Sequence, residues 1–197
     1  MTSASARPPY ILLFVVMSIS MATVACQPAG HPVAVVDLLR ELDRAERRPA
    51  EGFDVAIHQA GGESRPSLVA PVPSRATWSL PLPKHGAFRA HVALEADDPA
   101  TVVRLRVGVS DHRIYEGLAD WILTAERGGW IAIHADLSAY AGFQWSLFYR
   151  PDRIPWRVVL AADAIGGGPA RALWGTPEIV TDQRSAREYA ARRQALR

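Results

Sequence analysis

The sequence predicts an all-β fold: an antiparallel β-sandwich with a short N-terminal helix and a polar C-terminal tail. Three observations carry that prediction. Short strand-like stretches recur from residue 53 to 180, separated by turns rich in Gly, Pro and Asp, a texture of sandwiches rather than of βαβ units. The clearest stretch, 101–109, alternates strictly, with Val103, Leu105, Val107 and Val109 on one face and Arg104 and Arg106 on the other. Cys26 is the only cysteine, so no disulfide forms within the chain and an apolar core must hold the fold, with six tryptophans available to anchor it.

The chain begins with an apolar run from Tyr10 to Ala25, preceded by a single basic residue, Arg7, and followed by Gln27-Pro28-Ala29-Gly30. A short apolar run, small residues and then a turn describe a secretory signal over 1–25. A membrane span needs about 20 apolar residues; this run is shorter and contains Ser18, Ser20 and Thr23. Cys26 directly after Thr23-Val24-Ala25 resembles the lipobox of bacterial lipoproteins, although leucine is usual where Thr23 stands. The resemblance implies that the Cys26 thiol is acylated and becomes the first mature residue. It implies a bacterial cell-envelope protein, lipid-anchored to a membrane, the outer membrane or cell surface in preference to the inner. Each buried methylene of such an anchor contributes about 0.8 kcal/mol. An uncleaved anchor and ordinary cleavage after Ala25 stay open as other readings of the same residues.

Removing the signal leaves about 170 residues, the size of one domain with tails. The 22 basic and 20 acidic residues nearly balance, more closely once Arg7 is gone, and all the basic residues except Lys84 are arginine. No cluster of arginines interleaved with aromatics marks a nucleic-acid groove.

Taken in order, 26–33 reads as a tether and 34–52 as the helix. Val35, Val36, Leu38, Leu39, Leu42 and Ala45 recur there at helical spacing, with Pro49 and Gly52 as stops. The sandwich is expected over 53–180. A strand fits 53–58, and 60–74, rich in Gly, Pro and Ser, reads as a loop. A strand at 77–82 is confined to an edge or a bulge by Pro81 and Pro83. Further strands fit 88–96, 101–109, 113–123, 129–135, 143–150, 157–162 and 172–180, with a turn at Asp97-Asp98-Pro99. The tail, 181–197, is polar and Arg-rich, a frayed helix or a disordered end.

The most distinctive local pattern is Trp130-Ile131-Ala132-Ile133-His134-Ala135-Asp136-Leu137-Ser138-Ala139-Tyr140-Ala141-Gly142, leading into 143–149. It reads as strand, tight turn, strand: Asp136 and Ser138 bond local amides, Leu137 and Tyr140 plug the end of the core, and Gly142 supplies a positive φ. With the Gly166-Gly167-Gly168-Pro169 loop and the closing strand through Trp174, this resembles the jelly-roll and galactose-binding-like modules of bacterial carbohydrate-active and sulfatase-like envelope proteins, over about 75–180. What the resemblance implies is a jelly-roll-like sandwich of non-catalytic type. Carbohydrate binding and a structural calcium occur in such relatives. The aspartate often found just before the closing tryptophan is missing from Arg171-Ala172-Leu173, so neither is carried onto particular residues, and no cofactor or metal is expected.

Catalytic patterns are poor. The six histidines show no metal-ligand spacing. Ser110, Asp111 and His112 are adjacent, and adjacent side chains on a strand point to opposite faces, so they cannot form a triad with one another. The glycine run at 166–168 lacks the Lys-Ser/Thr of a phosphate cradle. Aromatics are the better lead, because sugar rings stack on exposed Trp and Tyr. Trp130, Trp145 and Trp174 are expected to face the core. Tyr115, Trp121 and Trp156 are the candidate platforms. Gln144 and Phe148, on the outer face of 143–150, would form a shallow polar-aromatic groove with Arg104 and Arg106. The leading expectation is therefore a non-catalytic envelope lipoprotein whose sandwich binds glycan by stacking and hydrogen bonding. The alternative is an assembly lipoprotein that docks an envelope protein through the 34–48 helix, and the third is a hydrolase with carboxylates across a cleft.

Overall fold

The period-2 pattern of 101–109 is realised in full. In the computed structural model, which describes residues 31–111, 114–141 and 156–195, Val103, Leu105, Val107 and Val109 are all buried, while Arg104 is exposed and Arg106 half-buried on the other face. Burying such a side chain contributes roughly 1.5–3 kcal/mol, and this repeat organises a sandwich of two antiparallel sheets. The strands are β1 (Val33–Asp37), β2 (Glu46–Arg48), β3 (Asp54–Ala60), β4 (Glu63–Pro71), β5 (Ser74–Leu80), β6 (Ala87–Ala96), β7 (Val102–Ser110), β8 (Tyr115–Thr124), β9 (Ile131–Asp136), β10 (Trp156–Gly166) and β11 (Ala170–Thr181), followed by helix α1 (Gln183–Ala195).

The topology is that of a jelly roll. β4 pairs with β11, β5 with β10, β6 with β9 and β7 with β8, all antiparallel. The chain thus doubles back on itself about the β7–β8 connection, and successive rungs of that long pair fall into alternate sheets. One sheet has the order β3-β4-β11-β6-β9, with β1 also on β11; the other is β2-β5-β10-β7-β8. Their inner faces meet in one core, in which Trp78 of β5 and Trp174 of β11 are fully buried. Trp174 meets Phe88 edge-on at 6.5 Å between ring centroids, a favoured aromatic geometry.

Four expectations need correction. No helix forms over 34–52: β1, a single 3-10 turn at Leu42–Arg44 and β2 occupy it. β11 leaves one edge open, and Val33, Ala34, Val36 and Asp37 complete its ladder, with Val35 bulged between them. Asp37 then turns the chain, accepting from the amides of Leu39 (3.0 Å) and Arg40 (3.4 Å). Leu38 and Leu42, expected on a docking helix, are instead buried in the core.

The expected loop at 60–74 holds β4, joined to β3 by the two-residue turn Gly61-Gly62, both at positive φ, the backbone that a tight hairpin requires. β5 lies inside its sheet between β2 and β10, because Pro81 and Pro83 come after its last residue and end the strand rather than displace it. Trp130 is not in the main core. It lies on the outside of the first sheet against Val69, Ala93 and Leu173, with Nε1 donating to the Glu63 carbonyl at 2.8 Å.

The 136–140 turn forms as expected. Asp136 accepts from the Ser138 amide at 2.8 Å, which holds its carboxyl below the usual range. Leu137 is buried, and Tyr140 packs edge-on to Trp156 at 5.3 Å. Asp98 caps the turn at 97–99, accepting from Ala100 at 2.9 Å. The tail is an ordered helix. Asp182 caps α1 by accepting from the Ser185 amide at 2.9 Å, Tyr189 is buried against the sandwich, and Arg193 pairs with Glu41 at 2.9 Å. The polar run docks through one buried aromatic side chain and two ion pairs, the second between Glu188 and Lys84 at 3.4 Å, and so shows no wide apolar stripe.

Candidate functional site

With the odd positions of β7 filling the core, its even positions form the outer face of the β2-β5-β10-β7-β8 sheet. Register extends this face into cross-strand rows. Arg75 of β5 stands opposite Ala161 of β10, which stands opposite Arg106 of β7, which stands opposite Asp120 of β8; Arg48 of β2 flanks Arg75. Adjacent strands lie about 4.8 Å apart, so Arg48, Arg75 and Arg106 make one line across the sheet, with buried Ala161 between the last two. Arg104 lies in the next row, opposite Asp163 and Ile122, and Arg157 lies on the other side, opposite Ser110.

Most of these cations are held by carboxylates. Glu46 accepts from both Arg48 (2.7 Å) and Arg157, and these hydrogen bonds, that from Arg48 first, hold its carboxyl below the usual range. Arg106 pairs with Asp163 at 2.7 Å and Arg104 with Asp120 at 3.6 Å. Arg75 has no carboxylate at ion-pair distance among the described residues. Its guanidinium carbon sits 5.0 Å above the centroid of the Tyr115 ring, a cation–π contact. Five arginines therefore meet three carboxylates on this face, and the one without a carboxylate partner among the described residues is Arg75.

A glycine makes that perch possible. Tyr115 lies down over the cross-strand pair Gly108–Gly117. A Cβ on Gly108 would fall 2.6 Å from its ring and 2.5 Å from the Glu116 carbonyl, whereas one on Gly117 would be 3.9 Å away. The ring is thus sandwiched between Gly108 and Arg75. Its hydroxyl is buried and has no hydrogen-bond partner among the described residues. Beside it lies a hollow of about 90 Å³ lined by Arg48, Arg75, Thr77, Ser110, Tyr115 and Arg157, among others.

Of the residues singled out from the sequence, Tyr115, Arg104 and Arg106 share this face. Trp121 and Trp156 do not: Trp121 pairs with Leu105 and Trp156 with Leu80, and both pack against the core. Gln144, Phe148 and Cys26 lie outside the described residues, as do Trp145 and His112. Both faces of the Tyr115 ring are covered, so the chemistry on offer here is ion pairing and hydrogen bonding more than ring stacking. Arg75, Arg157, Arg48 and Glu46 were missed by sequence reasoning. For Arg75 a signal exists: Ala76, Trp78 and Leu80 alternate inward, which places Arg75, Thr77 and Ser79 outward.

No protein-family model matches the chain, and no curated protein matches its sequence. Among solved structures it is similar to the CBM51-2 and INT domains from Clostridium perfringens ZmpB, with a TM-score of 0.47 and 14% identity over 70% of this chain and 29% of that one. It is also similar to the CBM22-1 xylan-binding domain from Paenibacillus barcinonensis Xyn10C, with a TM-score of 0.45 and 15% identity over 70% of this chain and 86% of that one. A third is TmCBM61 in complex with beta-1,4-galactotriose, with a TM-score of 0.43 and 9% identity over 75% and 97% of the two chains. The chain thus spans less than a third of the length of the first of these. At such identities the likeness assigns neither a ligand nor a residue's role.

Proposed function

We propose that the protein is a non-catalytic, envelope-anchored glycan-binding sandwich, and that the arginine-lined outer face takes an acidic polysaccharide. The observation that carries the reading is Arg75: an exposed guanidinium without a carboxylate partner among the described residues, fixed on the Tyr115 ring, in line with Arg48 and Arg106. A guanidinium engages a carboxylate through two parallel N–H donors, and the ring contact lowers the entropy that a free arginine would lose on binding. Uronate residues along a chain would meet Arg75 first. Ser110, on the lining of the hollow, would bond sugar hydroxyls, and the paired arginines around it add a positive field. Lipid attachment at Cys26 belongs to the same proposal, since it would raise the effective concentration of a weak site at a surface.

Affinity electrophoresis of the full chain through gels containing polygalacturonate, alginate or neutral xylan tests the face. The expected result is retardation by the acidic polymers, weakened by added salt, and a loss of about tenfold in affinity with Arg75→Ala, equivalent to about 1.4 kcal/mol. Equal retardation by xylan, or none by either acidic polymer, overturns the reading. For the anchor, Cys26→Ala is expected to release the chain from the membrane fraction, and undiminished membrane retention would count against acylation.

A further inference from the structure

On the opposite side of the molecule, one edge of β11 is shared by two strands laid end to end. β4 pairs with it at Arg171 to Gly175, and β1 at Glu178 to Thr181. Between them β11 bulges: Thr176 and Pro177 have no register partner in the ladders of β4, β1 or β6. The β4–β11 ladder starts at Ser67, since the preceding Pro66 has no N–H to donate, and the first residues of β4 continue only with β3. β1 meanwhile turns away at Asp37. The two departures leave a notch of about 530 Å³, lined by Arg65 and Pro66 on one side, Leu39 on the other, and Arg89, His91 and Glu178 across its floor. That volume falls in the range of small-molecule sites.

Three features distinguish it from a packing defect. Nδ1 of His91 and Nε of Arg65 are both buried with no hydrogen-bond partner among the described residues, and buried polar atoms in folded proteins are almost always bonded. Thr176, a β-branched residue, is held at φ 45°, a strained conformation for such a side chain. Gly175 lets the end of the notch close, since a Cβ there would come within 3.0 Å of the Trp130 indole and 3.2 Å of Arg65 Cδ.

The charges of the lining are already matched: Arg65 with Glu63 at 2.5 Å, Arg89 with Glu178 at 2.6 Å and Asp37 with Arg40 at 3.3 Å. Burial, and next the nearby Arg65, push the His91 imidazole toward its neutral form. No surplus charge awaits an ion, unlike at Arg75. What remains is a mixture of unpaired polar atoms, a polarised Arg89–Glu178 pair and apolar walls from Pro66, Leu39 and Ala132.

We infer that this notch binds a neutral sugar ring, independently of the arginine face, with hydroxyls on His91, Arg65 and Glu178 and the ring's C–H surface on Pro66 and Leu39. The full chain, isotopically labelled, is titrated with galactose, glucose and N-acetylglucosamine and followed by amide chemical shifts. The expected result is saturable binding of at least one of them, with a Kd on the order of 1 mM and shifts centred on Arg65, His91 and Thr176. Arg75→Ala leaves it unchanged, which separates this site from the acidic-glycan face. His91→Ala weakens it by about tenfold. Ala132→Leu, at an exposed position on the wall beside its cross-strand partner His91, abolishes it by filling the notch without entering the core. No saturable shift with any of the three sugars, shifts centred on Tyr115, or undiminished binding by Ala132→Leu overturns the inference.

Discussion

The two cross-strand glycines under Tyr115 allow a sharp test, because the same substitution at each should have opposite results. In Gly108→Ala the new methyl would sit 2.5 Å from the Glu116 carbonyl and 2.6–2.7 Å from two ring carbons of Tyr115. Backbone on one side and a ring on the other leave no soft neighbour to yield. Overpacking of this kind costs about 1–3 kcal/mol, offset by roughly 0.5–1 kcal/mol because alanine loses less backbone entropy than glycine. A net loss of about 1–2 kcal/mol corresponds to a fall in Tm of roughly 3–6 °C for a chain of this size. In Gly117→Ala the methyl meets the same ring at 3.9 Å, an ordinary contact, so stability should hold or rise by a few tenths of a kcal/mol. Urea unfolding of both variants, followed by near-ultraviolet circular dichroism, measures the difference. Gly108→Ala should also weaken retardation by polygalacturonate, since a displaced Tyr115 takes away the perch of Arg75. Equal stability of the two variants, or Gly108→Ala within about 0.5 kcal/mol of the parent, would refute the steric reasoning.

Other expectations follow from the same packing. Trp174→Ala, which empties a fully buried site beside Phe88, should cost about 3–5 kcal/mol in urea unfolding. Asp182→Ala, which removes the cap of α1, should cost about 1 kcal/mol and raise amide exchange in the first turn of that helix. Glu41 is held below its ordinary range by its hydrogen bond to Arg193, and Asp182 by the Ser185 amide. Each therefore contributes stability that is present above the carboxylate range and lost as pH falls through it. Urea midpoints should drop below about pH 4, and Glu41→Gln should flatten that drop. His91 acts in the same direction, at higher pH. A histidine kept neutral by burial opposes protonation, so stability falls as pH goes below about 6.5, where the unfolded imidazole gains its proton. The charged groups around it are Arg65, Arg89, Glu63 and Glu178, and His91→Gln should remove the dependence between pH 5 and 6.5.

What the sequence made legible was whatever is decided within one strand or one turn. β7 declares both its faces by parity, and the turn at Asp136 declares itself by an acceptor two residues before the amide it caps. The same parity, carried back one residue from Ile131 and Ile133, places Trp130 outward with Ala132 and His134, and the structure agrees. Reading Trp130 as core overrode a local signal that was correct. The Gly61-Gly62 turn was equally available, since two glycines between strand-like runs mark a hairpin more strongly than a loop. The 34–48 segment was different. Its leucines and valines fit helical spacing, and the competing partner is the open edge of β11, which lies some 140 residues further along the chain. Local periodicity does not carry that information, and tertiary pairing overrides it.

The candidate face shows the same division, and it sets what mutagenesis can separate. Parity alone placed Arg104 and Arg106 outward, but only cross-strand register brings Arg75 and Arg48 into line with Arg106. In an antiparallel sandwich the inward positions hold the fold while outward positions vary with little effect on it. Arg75 is exposed and forms no ion pair among the described residues, so Arg75→Ala should leave stability within about 0.5 kcal/mol while removing the central cation. Arg157→Ala should behave differently, because it frees Glu46, a carboxylate now shared with Arg48. The liberated carboxylate would put negative charge beside the hollow and repel an acidic ligand more than the loss of one cation explains. A double substitution of Arg157 and Glu46 to Ala should then recover part of the binding lost in Arg157→Ala alone. Recovery would mean that the paired arginines shape the field of the face, with Arg75 as the contact; no recovery would mean that Arg157 touches the ligand itself.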